Sequence, residues 1–273
     1  MIPKKIHYCW FGGGEIPDNE KKCIESWKRF CPDYEIIRWD ESNYDVTKNR
    51  YMYEAYQAKK WSFVSDYARL DIIYEHGGIY MDTDVELLRS LDDLLENKAY
   101  MGFEQRGQAV ATGLGFGAEK HMPLIREIRD YSYASRSFRL GVGDYDTTPC
   151  PAMSTAFLEA RGLVKNDLQQ TIGDIVIYPS AFFCPMEYAT GLLTVTEDTY
   201  SIHHYHASWL EPEDKKIYAI SKALNAKFGD RTGRILSTVL SKPYRIKMHL
   251  RTKGLSGTIS FAIKKLMLFL KEK

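Results

Sequence analysis

Apolar residues in the first 90 positions fall in short runs whose spacing switches between a strand period and a helix period. Residues 4–10 are apolar-rich and close on Gly12-Gly13-Gly14, which predicts a first strand and a glycine turn. Between Asp18 and Phe30, the residues Cys23, Ile24, Trp27 and Phe30 recur at near-helical spacing, and Pro32 ends the pattern. Residues 34–39 predict a second strand, followed by a polar loop over 40–48. Residues 62–76 predict a helix with Ser62 as N-cap, Phe63, Tyr67, Leu70 and Tyr74 along one face, and Gly77 as its stop. Residues 79–81 follow as a short buried strand. Strand and helix in strict succession predict a parallel sheet wrapped by helices. Such sheets bind ligands beyond the carboxyl ends of their strands, where Trp10, Trp39 and Asp82 fall.

Beyond Asp84 the pattern is sparser. Strands are expected over 99–103, 114–117 and 174–178, with helices over 122–135 and from the 148–151 proline turn through Arg161. Residues 201–209 are unusually rich in histidine.

Composition narrows the class. At 273 residues, with 44% hydrophobic and 13% aromatic content, the chain can bury a real core as one large α/β domain or two small ones. No uncharged apolar run reaches the length of about 18 residues that a membrane span requires. The first residues are too polar for a secretory leader, and the five scattered cysteines form no metal or disulfide pattern. Buried free thiols in a reducing, cytoplasmic setting are the expectation. The net charge of +1 hides an asymmetry, since residues 231–273 carry 11 Lys/Arg against the single acid Glu272. The expected division is an α/β domain over 1–230 and a basic helical tail over 231–273.

The candidate chemistry centres on Gly77-Gly78-Ile79-Tyr80-Met81-Asp82-Thr83-Asp84. Side chains two apart on an extended chain share a side, so Asp82 and Asp84 are expected to present paired carboxylates at a strand tip. Hard divalent cations such as Mn²⁺ and Mg²⁺ bind through one or two carboxylates together with substrate phosphates. In the preceding helix, Asp66 and Arg69 are three apart and share a face. Taken alone they are an intrahelical ion pair. Leaning toward the aspartates, they offer a donor fork and a two-oxygen acceptor suited to adjacent sugar hydroxyls.

Ser65-Asp-x-x-Arg69, then Tyr74-x-x-Gly77-Gly78-Ile79-Tyr80-x-Asp82-x-Asp84, resembles the core signature of glycosyltransferase family 32. The opening residues 2–10 and the late His204-x-x-x-Ser208-Trp209 are similar to that family's first strand and C-terminal element. The resemblance covers residues 1–105 well and 200–210 moderately. It implies a GT-A type α/β fold, a mixed sheet flanked by helices, with a retaining reaction and a nucleotide-sugar donor. Uracil is the favoured base and guanine the other. By the same resemblance Asp84 is a direct ligand of Mn²⁺ or Mg²⁺, while Asp82 holds the ribose and sugar and reaches the metal through water. Asp66 and Arg69, with Ser65 beside them, grip the donor sugar. Tyr80 lies near the ribose, Trp10 by the base, and Ser208 and Trp209 on the pyrophosphate. His204 best matches the late metal ligand, with His206 the alternative on the same strand face, and His203 is expected to face the sheet. Glu104 is a candidate acceptor-side carboxylate or, more simply, a solvent-facing loop acid.

The implied role is hexosyl transfer onto a glycan or lipid-linked oligosaccharide of a surface or capsular polysaccharide. The alternatives are a toxin-like transferase acting on a protein side chain and a non-catalytic sugar-nucleotide binder. No nucleic-acid partner is expected. The tail alternates apolar positions such as Leu266, Phe269 and Leu270 with Lys264, Lys265 and Lys271, a pattern of basic amphipathic helices at anionic membrane surfaces. Peripheral association with the inner face of the cell membrane is the expectation.

Overall fold

The computed structural model describes residues 1–188, 190–206, 212–244 and 247. The chain forms two compact units, residues 1–187 with 193–206, and residues 188–192 with 207–273. In order, the first unit contains β1 (Lys5–Cys9), α1 (Asp18–Phe30), β2 (Glu35–Trp39), α2 (Arg50–Gln57), α3 (Trp61–His76), β3 (Gly78–Tyr80) and β4 (Val85–Leu87). A 3₁₀ turn (Asp92–Glu96) leads into β5 (Ala99–Glu104), β6 (Ala109–Ala111), β7 (Phe116–Ala118) and α4 (Pro123–Tyr133). The remainder is β8 (Arg139–Gly141), β9 (Asp144–Tyr145), α5 (Cys150–Glu159), β10 (Gln170–Ile172), β11 (Ile175–Tyr178), α6 (Ser180–Phe183) and β12 (Ser201–His203). The second unit contributes α7 (Pro212–Phe228) and α8 (Asp230–Leu240), which pack against each other. Gly233 permits that approach, because a Cβ there would lie 2.5 Å from the Asn225 backbone. Ile235, Val239 and Leu240 of α8 are exposed. Most of the expected tail helix lies outside the described residues.

The main sheet runs β10-β11-β5-β7-β3-β1-β2, with β6 on β5. The β1–β2, β1–β3 and β5–β11 pairs are parallel, as helix-linked strands require. β7 lies antiparallel between β3 and β5, because short links join β5, β6 and β7 and cannot carry a crossover. The sheet is therefore mixed, as the GT-A resemblance implies, and not wholly parallel as the strand–helix succession alone suggests. Side-chain alternation divides the core. Ile79 and Met81 pack with Ile6, Tyr8 and Trp27 on one face, while Tyr80 packs with Phe116, Val64 and Ala68 on the other.

Helix α3 is buried almost all round, from Val64 and from Asp66 through Ile73, so it is the central helix of its layer. It begins one residue before Ser62, with Lys60 at the N-cap and no side-chain cap; Ser62 instead accepts the Ser65 hydroxyl through its carbonyl at 2.7 Å. The expected stop is met: Gly77 has φ 65° and its N–H returns to the Ile73 carbonyl. At Gly78 (φ 101°) a Cβ would sit 2.8 Å from His7 Nε2 and 2.9 Å from the Lys5 carbonyl oxygen. Only glycine lets β3 enter that closely beside β1.

That approach also fixes His7, which is fully buried. Its Nε2–H donates to the Gly77 carbonyl at 2.9 Å and its Nδ1 accepts from the Trp39 indole at 3.0 Å, so the ring is neutral. Burial, with neighbouring His76 and Lys5, depresses its pKa from 6.5 to about 4, the Gly77 bond opposing. Between those values the unfolded chain binds the extra proton, so stability should fall as pH drops from 6.5 toward 4, by about 3 kcal/mol in all. Urea unfolding at pH 7, 5.5 and 4.5 measures this against His7→Gln, which should lose that part of the slope. Equal slopes for the two proteins would refute the assignment.

Candidate active site

The aspartate pair does not sit on a strand. β3 ends at Tyr80, and residues 82–85 form a turn closed by the Val85 N–H on the Asp82 carbonyl at 3.0 Å. The carboxylates converge because the chain folds back there, with Trp27 Nε1 donating to the Val85 carbonyl at 2.7 Å and the Leu87 N–H to the Ser26 hydroxyl at 2.9 Å. α1 thereby anchors β4, which pairs antiparallel with β12 in the register His203↔Val85. This pairing carries the histidine segment onto the aspartates.

The resulting cluster is Asp82, Asp84 and His203, whose ligand atoms all lie within 4.8 Å of one another. His203 Nε2 is 3.3 Å from Asp84 Oδ1. The other Asp84 oxygen accepts the His206 N–H at 3.0 Å, and the Asp84 carbonyl accepts the His204 N–H at 3.0 Å. The expectation of His204 as third ligand, with His203 turned to the sheet, is corrected. His204 Nε2 lies 2.8 Å from Glu86, and His206 Nδ1 lies 3.4 Å from the buried Glu20. The alternation argument fails because β12 ends at His203 and Tyr205 adopts φ 54°, so residues 204–206 no longer follow a strand period. Ser208 and Trp209 lie outside the described residues.

Asp82 faces the helix layer. Its Oδ1 accepts the Tyr80 hydroxyl at 3.1 Å and lies 3.2 Å from the Arg69 guanidinium. Arg69 also pairs with Asp66 at 3.0 Å, and both are almost fully buried. Its other contacts are the Ser65 hydroxyl and carbonyl at 3.2 Å, the Cys150 sulfur at 3.6 Å and the face of the Tyr80 ring at 5.0 Å. The Asp66–Arg69 pair is thus more than a helix-surface ion pair, since it extends to Asp82 across elements. Trp10 is half-buried at the end of β1, its indole N–H on the Gly14 carbonyl at 2.7 Å.

Environment separates the two carboxylates. Burial and the neighbouring Asp84 raise the pKa of Asp82, while Arg69 opposes them. Burial also works against ionisation of Asp84, but the His203 charge, its hydrogen bond and the His206 N–H hold it well below the usual carboxylate range. Burial raises Asp66 too, against the pull of Arg69. Two carboxylates and an imidazole, gathered at the strand ends, form a donor set fitted to Mn²⁺ or Mg²⁺.

Two participants carry no clear sequence signal. Gly113, in the link from β6 to β7, accepts the Asp82 N–H at 2.9 Å, and a Cβ there would lie 2.0 Å from Asp82 Oδ2. Cys150, at the start of α5, touches Arg69 and Thr112. Glu104 is not solvent-facing as a loop acid would be; it ends β5 at 5% exposure. All five cysteines are free and buried, as expected.

Comparison with known proteins finds a family region in part of the chain. Residues 17–101 match the glycosyltransferase sugar-binding region containing the DXD motif. The chain is 33% identical over 137 residues to inositol phosphoceramide mannosyltransferase 3 of Schizosaccharomyces pombe, covering 47% of this chain and 37% of that one. It is 31% identical over 105 residues to the mannosyl phosphorylinositol ceramide synthase SUR1 of Saccharomyces cerevisiae, covering 37% and 27%. The chain therefore spans well under half the length of these relatives. Among solved structures, the PaToxG glycosyltransferase aligns over 58% of this chain and 69% of its own, at 19% identity and a TM-score of 0.46. Asp82-Thr83-Asp84 and Ser65-Asp66-x-x-Arg69 lie inside the matched segment, so residues 17–101 carry the DXD-containing sugar-binding region of glycosyltransferases, and in that region the chain is similar to family 32.

Proposed function

We propose that the protein is a divalent-metal-dependent, retaining hexosyltransferase that moves a sugar from a nucleotide-sugar donor to a glycan or lipid-linked acceptor. The observation that carries this reading is the convergence of Asp82, Asp84 and His203 with the buried Asp66–Arg69 pair. Asp84 and His203, with Asp82, would hold Mn²⁺ or Mg²⁺, which when bound stabilises the charge that develops on the departing nucleoside diphosphate. Arg69 is locked between two carboxylates, so its fork is aimed before the donor arrives. Asp66 and Asp82 accept from sugar hydroxyls. The relatives, named as mannosyltransferases of inositol phosphoceramide, favour mannose as the sugar and a phosphoinositol lipid as the acceptor. A GDP-sugar accordingly stands beside the UDP-sugar that the motif resemblance favours.

A thermal-shift screen of GDP-mannose, UDP-glucose and UDP-galactose, each with and without Mn²⁺, tests the reading. The true donor stabilises the native state by about 2.7 kcal/mol at 100 times its dissociation constant, and the shift should need the metal. No shift with any sugar nucleotide would overturn it. The basic tail extends the proposal to peripheral attachment at an anionic membrane surface, where each Lys/Arg contributes about 1 kcal/mol. Full-length protein should sediment with phosphatidylserine vesicles at low salt and a 1–230 chain should not; equal sedimentation sinks the attachment.

A further inference from the structure

Glu104 is a buried acid that the donor site leaves without a task. β3 and β5 both run antiparallel to β7, hence parallel to each other, and their carboxyl ends reach the same edge of the sheet. The register fixes the level: Gly78 and Ala99 both pair with Ala118, and Ile79 and Tyr100 both pair with Gly117. Tyr80, the last residue of β3, is therefore level with Met101; at that edge one chain turns off toward Asp82 while β5 runs on to Glu104. There the Glu104 carboxylate lies within electrostatic reach of both Asp82 and His203.

Glu104 also lines a cavity of about 340 Å³, together with Gln105, Gln108, Pro149, Thr155 and Lys165. This is the size range of small-molecule sites. Among the described residues the lining combines two amides, two carboxylates, a lysine and a threonine with alanines and prolines and holds no aromatic ring, so it suits a hydroxyl-rich molecule better than an acyl chain. Glu159, the other acid of the lining, is already paired with Lys165 at 2.9 Å. Glu104 is held in place by the Gln105 amide at 3.1 Å, with Tyr205 also in hydrogen-bonding reach of its carboxylate. The hairpin that holds Gln105 there is strained: Gln105 and Arg106 have φ 50° and 54°, a conformation normally left to Gly and Asn. Such strain persists where surrounding structure enforces it, often at ligand sites.

We infer that this cavity is the acceptor subsite, that it takes a polyol ring, either a hexopyranoside or an inositol, and that Glu104 accepts the hydrogen bond of the hydroxyl to be glycosylated. The inference rests on the proposed transferase reading and names the acceptor side of the same site. Glu104 is a binding and orienting group here: the hydroxyl oxygen bonds to the anomeric carbon as the bond from that carbon to the diphosphate breaks, and the hydroxyl proton passes to the departing phosphate.

The test is transfer kinetics with Mn²⁺ and the donor found in the shift screen, using methyl α-D-mannopyranoside and myo-inositol as acceptor probes. Glu104→Gln should raise the acceptor KM or lower kcat/KM for the acceptor by about 10- to 100-fold, the worth of a hydrogen bond to a charged group. The donor dissociation constant should stay within about twofold. Ala152→Trp, at the exposed rim of the cavity, should produce the same split by filling it, and does not depend on tolerance of a change at Glu104. Preference for the mannoside or for inositol identifies the source of the ring. Unchanged acceptor kinetics in both variants, or no wild-type transfer to either probe despite donor binding, overturns the subsite. Absence of donor binding by the wild type instead removes the transferase reading, and this inference with it.

Discussion

Asp84→Asn should lower metal-dependent sugar transfer and donor hydrolysis by about 10³-fold, the scale on which loss of one preorganised charge-stabilising group acts. The substitution keeps the shape of the side chain and an oxygen for the His206 N–H at 3.0 Å, so the turn over 82–85 should survive. What it removes is the negative charge that faces His203 at 3.3 Å and would face the cation. Donor binding measured with Mn²⁺ should weaken toward the level seen without Mn²⁺, whereas wild type should show a clear difference between the two. The histidines give an independent arm. His203→Ala should follow Asp84→Asn in losing metal dependence, while His204→Ala, which releases Glu86 and the stacked His206 ring, should change activity less than about threefold. The reverse order of the two histidine variants would return the third ligand to His204. Full metal-dependent activity in Asp84→Asn would overturn the centre itself.

Why the sequence points to the aspartates but misplaces their third partner is a matter of range. β1, α1, β2, α3 and β3 are local: each is set by its own period, caps and glycines, and each lies within a residue or two of its expected bounds. The signature residues Asp66, Arg69 and Asp82 sit within 17 positions of one another, so short-range periodicity already puts them in reach. His203 arrives by the β12–β4 pairing, which joins residues 118 apart and leaves no periodic trace in either segment. The hairpin of β5 and β6, the antiparallel insertion of β7 and the close approach of Gly113 are equally non-local. Glu104 reads as a loop acid in sequence because the hairpin that buries it depends on left-handed backbone at Gln105 and Arg106, residues that do not signal such a turn. Helix α2 is a different case. No element is expected there from the sequence, although its signal is local: Asn49 caps it by accepting the Met52 N–H, and Tyr51, Met52 and Ala55 mark its buried face.

Arg69→Met should destabilise the fold by about 3–5 kcal/mol while also abolishing donor binding. Arg69 is 4% exposed and stands between Asp66 and Asp82, themselves buried. Methionine restores much of the volume but leaves two carboxylates facing each other in a low dielectric without a countercharge, and their pKa values, already raised by burial, must rise further. Groups with raised folded-state pKa values favour the native state below their unfolded values and lose that advantage as pH rises. The deficit against wild type should therefore be largest at pH 7 and narrow toward pH 4. Urea unfolding at both pH values measures it. The double variant Arg69→Met with Asp66→Asn should recover at least about 1 kcal/mol of the single variant's loss, because the residues share one network and their effects cannot add. If the double variant were instead no more stable than the sum of the singles, the cluster would be separable contacts, and the preorganised fork assigned to Arg69 would lose its physical basis.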